Sequence, residues 1–303
     1  MSTEYTPSSN PTDFARALAA STHIIVVAGA GLSAASGIPT FRDAGGLWRG
    51  RDPAAIATPA AFAADPAGVW QFYHARREAA MRAQPNAGHY ALAMLCEPAH
   101  LRVVAPRARS FALITQNVDG LSARAMEETR ERLRAAGRAA VEEVPHPLFE
   151  MHGRVLDTLC TRCGHREHNG SSPLSPELAD QARDASSIPL EDLPHCVRCG
   201  GLLRPGVVWF EEIPHDLDKI DALVDRADMC IVVGTSSTVQ PAASFAYEVA
   251  DGGGTTAVFN IARSDGDEDA DFLFIGPCEE TLPRILLGVG AVGISSAQGI
   301  ENQ

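Results

Sequence analysis

The sequence predicts an α/β fold: a Rossmann-like parallel sheet into which a small subdomain, part helical and part cysteine-built, is inserted. Three observations carry this. Four β-branched residues, Ile24 to Val27, run into the small-residue turn Ala28-Gly29-Ala30-Gly31, the pattern of a buried strand meeting a tight turn. Later apolar runs also stop at Gly, Ser, Thr or Asn, as strands of a parallel sheet do at their ligand edge. Two C-x-x-C-G pairs lie 32 residues apart in the second half of the chain.

In chain order, residues 1–11 read as disordered and Pro11 to Ser21 as a helix feeding the first strand. A helix opens at Leu32 to Ser36, so that a ring of unpaired N–H groups would face a ligand on the glycines. The Ala-rich stretch from Arg49 to Gly88 is helical, with Pro59, Pro66 and Pro85 as starts. Phe111 to Thr115 is the next strand and ends in Gln116-Asn117-Val118-Asp119-Gly120. The charge-rich stretch 123–144 favours helix, and Phe149-Glu150-Met151-His152-Gly153 is a further strand end. Met229 to Val233 runs into Gly234-Thr235-Ser236, Ala257 to Phe259 into Asn260, and Phe272 to Ile275 into Gly276-Pro277-Cys278. The residues from Gly290 onward read as frayed.

Composition bounds the function. With 25 basic and 38 acidic residues the chain carries −13, which argues against nucleic-acid binding. No apolar run approaches the ~20 residues that span a bilayer, and no membrane partner is expected. The opening MSTEYTPSSNPTDF has neither the basic-then-apolar pattern of a signal peptide nor the Arg-rich pattern of a transit peptide. A cytoplasmic monomer is therefore expected.

Cys160-Thr-Arg-Cys163 and Cys196-Val-Arg-Cys199 can bring four thiolates to the corners of a tetrahedron, which suits one zinc ion. Two redox dithiols or a disulfide are the alternatives, and His165, His168 and His195 are spare ligands. Four cysteines leave no open position for water, so such a zinc is structural.

The segment Gly29-Ala30-Gly31-Leu32-Ser33-Ala34 alone is a weak dinucleotide signal, and no acidic residue follows at the usual distance after a second strand. Its continuation is more specific: Ser-Gly-Ile-Pro-Thr40-Phe41-Arg42, then Gly-Gly-Leu-Trp48. Together with Gln116-Asn117-x-Asp119 and Met-His152-Gly, this resembles the sirtuins, the NAD-dependent protein-lysine deacylases. The resemblance covers about Ser21 to Leu286 and implies one catalytic domain over 1–303. A Rossmann-like large domain would take 12–48, 89–152 and 205–290. The small domain would take the helical part 49–88 and the zinc-binding part 153–204.

The resemblance also implies site roles. NAD would be held by Gly29, Ala30, Gly31, Ser33, Ala34, Thr40, Phe41, Arg42, Trp48, Gln116, Asn117, Asp119, Gly234, Thr235, Ser236, Asn260 and Cys278. His152 would be the general base acting on the ribose hydroxyls. The stretch Leu203 to Glu212 is similar to the strand on which sirtuins dock substrate peptide, with Val208, Trp209 and Phe210 around the lysine stem. Glu211 stands where the family keeps glycine, and Ser122 where it keeps histidine.

Tyr73 and Arg76 share a helical face three residues apart, and a guanidinium with a phenol can grip a carboxylate. The pair resembles the Tyr-x-x-Arg of class III sirtuins, and Ala57 falls where that class keeps a small residue. The implied activity is removal of succinyl, malonyl or glutaryl groups from lysine-bearing proteins, giving nicotinamide, O-acyl-ADP-ribose and free lysine. A deacetylase, an ADP-ribosyltransferase and a zinc-stapled NAD-binding scaffold are the alternatives.

Overall fold

The computed structural model describes residues 6–40, 48–138, 148–179, 185, 188–264 and 266–288. Its main sheet joins β1 (His23–Ala28), β2 (Ser110–Thr115), β3 (Leu148–Glu150), β7 (Met229–Val233), β8 (Thr255–Asn260) and β9 (Phe272–Ile275). The strand order is β3-β2-β1-β7-β8-β9 and every pairing is parallel. Counted within the sheet alone this is the doubly wound order, which reverses direction between β1 and β7 and opens a crevice there.

Alternation sends successive side chains to opposite faces. Ile24, Val26, Leu113 and Ile231 pack under α1 (Pro11–Ala20), α6 (Ala87–Leu95), α8 (Leu121–Ala135) and α11 (Cys278–Leu286). Ile25, Val27, Ile114 and Cys230 pack under α9 (Leu217–Val224) and α10 (Phe245–Asp251). At the centre of the first face, Phe14 is fully buried and meets Phe259, Phe272 and Phe274 edge-on at 5.5–5.7 Å, the preferred aromatic geometry.

A second sheet of order β5-β4-β6 is antiparallel, from β4 (Gly153–Cys160), β5 (Arg166–His168) and β6 (Leu203–Val207). It shares a separate core with α3 (Pro53–Ile56), α4 (Pro59–Ala64) and α5 (Pro66–Arg82), including Ile56, Phe62, Trp70, Val155, Leu203 and Trp209. The helical and cysteine-bearing segments, far apart in sequence, thus form one small body.

Several expectations change. Ser8 is bridged to Phe272, its N–H donating to the Asp271 carbonyl at 2.8 Å, so the chain is already tied to the sheet before α1. α6 opens at Ala87 rather than Pro85, because Asn86 caps it by accepting from the N–H groups of Gly88 and His89. α8 ends at Ala135, and 139–147 lie outside the described residues, as do 1–5 and everything from 289 on. β6 stops at Val207, so 208–212 form a loop. Pro205 fits β6 because that strand pairs only with β4 and lies at a sheet edge.

The helix after the glycine turn, α2 (Gly31–Ala34), is a single turn, and three of its N–H groups, together with that of Gly29 before it, are already committed. Gly29 N–H donates to the Val233 carbonyl, Gly31 to Gly234, Leu32 to Gly29 and Ser33 to Ala30. The expected ring of unpaired donors is therefore not formed at these residues. The glycines serve a different contact: a Cβ on Gly31 would lie 2.8 Å from the Gly234 Cα, and Gly234 itself has φ +58°. Two backbones cross there with no room for a side chain, which locks the end of β1 onto the end of β7.

Candidate active site

The carboxyl ends of β1, β2, β3, β7 and β8 bring a polar cluster together. Gln116 extends β2 and its Nε2 donates to Thr235 Oγ1 at 3.3 Å, while Asn260 Nδ2 donates to the Thr235 carbonyl at 3.0 Å. Asn117 Nδ2 donates to the Gly29 carbonyl at 3.0 Å and to Ser33 Oγ at 3.1 Å. Ser236 Oγ lies 2.8 Å from Thr238 Oγ1.

Donor and acceptor roles fix the rest. The backbone N–H of Asn86 reaches His89 Nδ1 at 3.2 Å, so Nδ1 accepts and Nε2 carries the ring proton. That Nε2 lies 3.3 Å from Ser33 Oγ and donates to it. Ser33, with acceptances from both His89 and Asn117, turns its own proton to the Asp119 carboxylate. Asp119 also accepts from Leu121 N–H at 2.9 Å. Burial pushes the Asp119 carboxyl above its usual range, and the Leu121 and Ser33 bonds pull it back. His89, fully enclosed, is held down at about 3 by burial and is neutral. Sequence reasoning missed Asn86 and His89, whose only trace is an Asn placed three residues before a His.

His152 follows β3, and its Nδ1 lies 3.1 Å from the Gln116 carbonyl. A carbonyl only accepts, so Nδ1 carries the proton and Nε2 presents its lone pair. Burial holds its pKa below the ordinary value, against the Gln116 bond, and nearby His215 adds to the lowering. A neutral imidazole with a fixed tautomer is a ready proton acceptor.

A second group lies on the small body. Tyr73 is buried, and Trp209 Nε1 donates to its hydroxyl at 3.1 Å. Burial pushes this phenol up to about 12, with the Trp209 bond pulling the other way. Arg76 lies half-buried one turn on, its guanidinium 4.5 Å from the centre of the Phe72 ring. Burial lowers its pKa, and Tyr73 counters. Neighbouring Arg77 is fully buried and donates to the carbonyls of Val155 (3.0 Å), Asn169 (2.6 Å) and Ser171 (3.1 Å). The two arginines are thus not a solvated pair: one clamps the second sheet to α5 and the other flanks Tyr73.

Ala57 caps α3, and its carbonyl accepts from Phe210 N–H at 3.0 Å. Val208 N–H donates to the His152 carbonyl at 2.8 Å, so the 208–210 loop ties the proton acceptor to the Tyr73 pocket. Trp209 is buried, whereas Phe210 is 41% exposed. Trp48 packs edge-on against Phe72 at 5.4 Å, on the Tyr73 side rather than among the strand ends. Thr40 is partly buried, and Phe41 and Arg42 lie outside the described residues. Cys278 turns its thiol into the core, 3.7 Å from the Phe259 carbonyl, where burial pushes it up to about 12. Any ligand contact there falls to its backbone.

Cys160, Cys163, Cys196 and Cys199 place their four sulfurs within 4.8 Å of one another. Cys160–Cys199 and Cys163–Cys196 measure 3.4 and 3.8 Å, close to the ~3.8 Å edge of a tetrahedron with Zn–S bonds of ~2.3 Å. The three histidines point to other partners: His165 to Glu167, His168 to Asp157 and His195 to the Leu193 carbonyl. Four thiolates therefore fit one structural zinc. Among the described residues no helix is long and apolar enough to cross a membrane.

Comparison with known proteins agrees with this architecture. Residues 29–241 match the model of the Sir2 family. A dog protein named NAD-dependent protein deacylase sirtuin-5, mitochondrial, is 43% identical over 92% of this chain and 86% of its own. A frog (Xenopus tropicalis) protein of the same name is also 43% identical, over 91% and 85%. A Sir2 homologue crystallised as an NAD complex superposes with a TM-score of 0.73 at 35% identity, covering 94% of this chain and 95% of the other. The expected cytoplasmic location is overturned by the relatives, both of which are named as mitochondrial. By motif, sheet order and sequence identity over nine-tenths of its length, this chain belongs to the Sir2 family, the sirtuins.

Proposed function

We propose that the protein is an NAD-dependent protein-lysine deacylase that prefers acidic acyl groups, namely succinyl, malonyl and glutaryl. The observation that carries the acyl preference is the buried Tyr73 hydroxyl beside Arg76. Trp209 Nε1 can only donate, so Tyr73 accepts from it and keeps its own proton for a carboxylate. Seating a guanidinium in an acyl tunnel is costly unless an anion meets it, which disfavours neutral acetyl.

The strand-end cluster supports the cofactor role. Hydroxyls, amides, a carboxylate and a neutral imidazole match the ribose hydroxyls and the uncharged amide of a nicotinamide nucleotide. When bound, NAD supplies a sugar carbon made electrophilic by departure of nicotinamide. Gly29, Ala30, Gly31, Ala34, Thr235, Ser236 and Asn260 would line the crevice, and Gln116, Asn117 and Asp119 its nicotinamide end. His152 Nε2 would take the proton of a ribose hydroxyl, held in register by its Nδ1 bond to Gln116. The 208–212 loop would meet the backbone of an acyl-lysine peptide through its carbonyls, because the N–H groups of Val208, Trp209, Phe210 and Glu212 are already engaged. Residues 12–48, 89–152 and 205–290 would act as the cofactor domain, and 49–88 with 153–204 as the small domain that completes the pocket.

The test is nicotinamide release from NAD with peptides that differ only in a succinyl-, malonyl- or acetyl-lysine. Succinyl or malonyl turnover should exceed acetyl, and Arg76→Met should depress the acidic substrates at least tenfold more than acetyl. Faster acetyl turnover by the wild type would overturn the acyl assignment. Undiminished formation of free lysine by His152→Ala would remove His152 from the chemistry.

A further inference from the structure

We infer that acyl selectivity is set by a relay, Glu212–Arg204–Trp209, that fixes the Tyr73 hydroxyl, making Arg204 and Glu212 positioning residues for specificity. The inference rests on the reading of the Tyr73–Arg76 pocket given above. None of the three relay residues lies on the helix that carries the pair. Arg204 comes from β6, and Trp209 and Glu212 from the loop that follows it.

A phenol hydroxyl turns freely about one bond, so its proton direction must be set by a partner. Trp209 Nε1 sets it by donating at 3.1 Å, which turns the Tyr73 proton away from the indole. The indole is itself held from three sides. Arg204 lies over its ring, 3.4 Å from guanidinium carbon to ring centre. Phe62 packs at 5.3 Å. The Trp209 backbone N–H donates to Glu212 Oε2 at 2.8 Å. Glu212 then closes the loop on Arg204, with Nη1–Oε1 at 2.5 Å and Nη2–Oε2 at 2.8 Å, while Nη2 also donates to the Val207 carbonyl at 2.9 Å.

Such a two-pronged pair fixes a plane as well as a distance, and that plane is what the indole rests on. Lysine cannot reproduce it, having neither the fork nor the flat face. A carboxylated acyl chain needs the aimed Tyr73 proton, whereas acetyl has no terminal carboxylate to accept it. The relay should therefore act on the ratio between the two substrates.

Arg204→Lys, Glu212→Gln and Trp209→Phe are compared with wild type on succinyl- and acetyl-lysine peptides with NAD. Each variant should lower the succinyl-to-acetyl ratio of kcat/KM, about tenfold for Trp209→Phe, which is one hydrogen bond to a charged ligand. Smaller losses in the same direction are expected for the other two, expressed mainly in the succinyl KM. Equal losses on both substrates would show that the three residues only pack the pocket and would overturn the relay. A wild type without succinyl preference would instead fault the acyl reading. In that case fluorine NMR of 3-fluorotyrosine-labelled protein still decides the relay. The Tyr73 signal should shift or broaden in Arg204→Lys, and an unchanged signal overturns the proposal without any turnover.

Discussion

The strand-end cluster and the Tyr73–Arg76 pocket are held together in opposite ways. Around Asn117 and His152 the bonds run between residues at the tips of neighbouring strands, so the sheet's register positions them. Around Tyr73 they bridge segments remote in sequence and in secondary structure. Trp209 reaches Tyr73 across 136 residues, and Trp70 Nε1 reaches the Leu203 carbonyl across 133. The second sheet that anchors one side of this pocket has three strands, and Cys160 sits at the end of one of them, opposite Leu203. The proposed reacting centre thus draws on a large core, whereas the proposed selecting centre depends on a small one closed by four thiolates.

That contrast predicts the largest effect for zinc loss. Structural zinc in small modules contributes on the order of 10 kcal/mol of folding free energy. Chelation, or Cys160→Ser, should abolish hydrogen-exchange protection across β4–β6 while β1, β2 and β7 keep theirs. Loss of protection in both regions together would show that the two cores are one cooperative unit and end the comparison.

An intermediate effect is expected in the strand-end cluster, where acid acts through His89. Its folded pKa of about 3 lies below the ordinary 6.5, so the unfolded chain binds a proton that the native ring refuses. Stability on this account is intact above pH 6.5 and falls progressively as the pH drops towards 3. Urea midpoints measured from pH 7 to 4 should decline, and His89→Gln should flatten the decline. An unchanged slope in that variant would assign the acid sensitivity to other groups.

How much of each region can be read from the sequence follows the same division. β1 and β7 were legible because Ile24–Val27 and Met229–Val233 are uninterrupted apolar runs buried on both faces, a pattern that composition alone announces. The place of Gln116 and Asn117 just past a strand is readable because polar residues gather at strand ends in such sheets. His152 is marked only by the resemblance to sirtuins, since a lone histidine reads equally as a packed residue. The turn between β1 and α2 is readable from its glycines, but nothing local in Gly29-Ala-Gly31 shows that Gly234 packs against it. The zinc cluster was legible from spacing, while the sheet around it was not. β6 reads Leu-Arg-Pro-Gly-Val, which obeys no strand period: only the resemblance to sirtuins marks 203–212 as strand, and pairing with β4 is what holds it, as far as Val207. Arg204 and Glu212 went unseen because their partnership depends on a loop turning back eight residues later.

That turn supplies the smallest effect and the sharpest local probe of the pocket side. Glu211 has φ +75°, the left-handed region that favours glycine, and the resemblance to sirtuins marks this position as one where glycine is usual. A non-glycine residue there costs roughly 1 kcal/mol, partly offset because glycine gives the unfolded chain more freedom. The Glu211 side chain is exposed and makes no hydrogen bond or ion pair among the described residues, so nothing is lost by removing it. Glu211→Gly should therefore raise stability, by about 0.5 kcal/mol at most, in urea unfolding. It should also leave the succinyl-to-acetyl ratio unchanged, because the Glu212–Arg204 pair next to it is retained. Destabilisation would mean that the Glu211 carboxylate is tied into the loop after all. A changed ratio would mean that the backbone turn itself, rather than the relay, aims Tyr73.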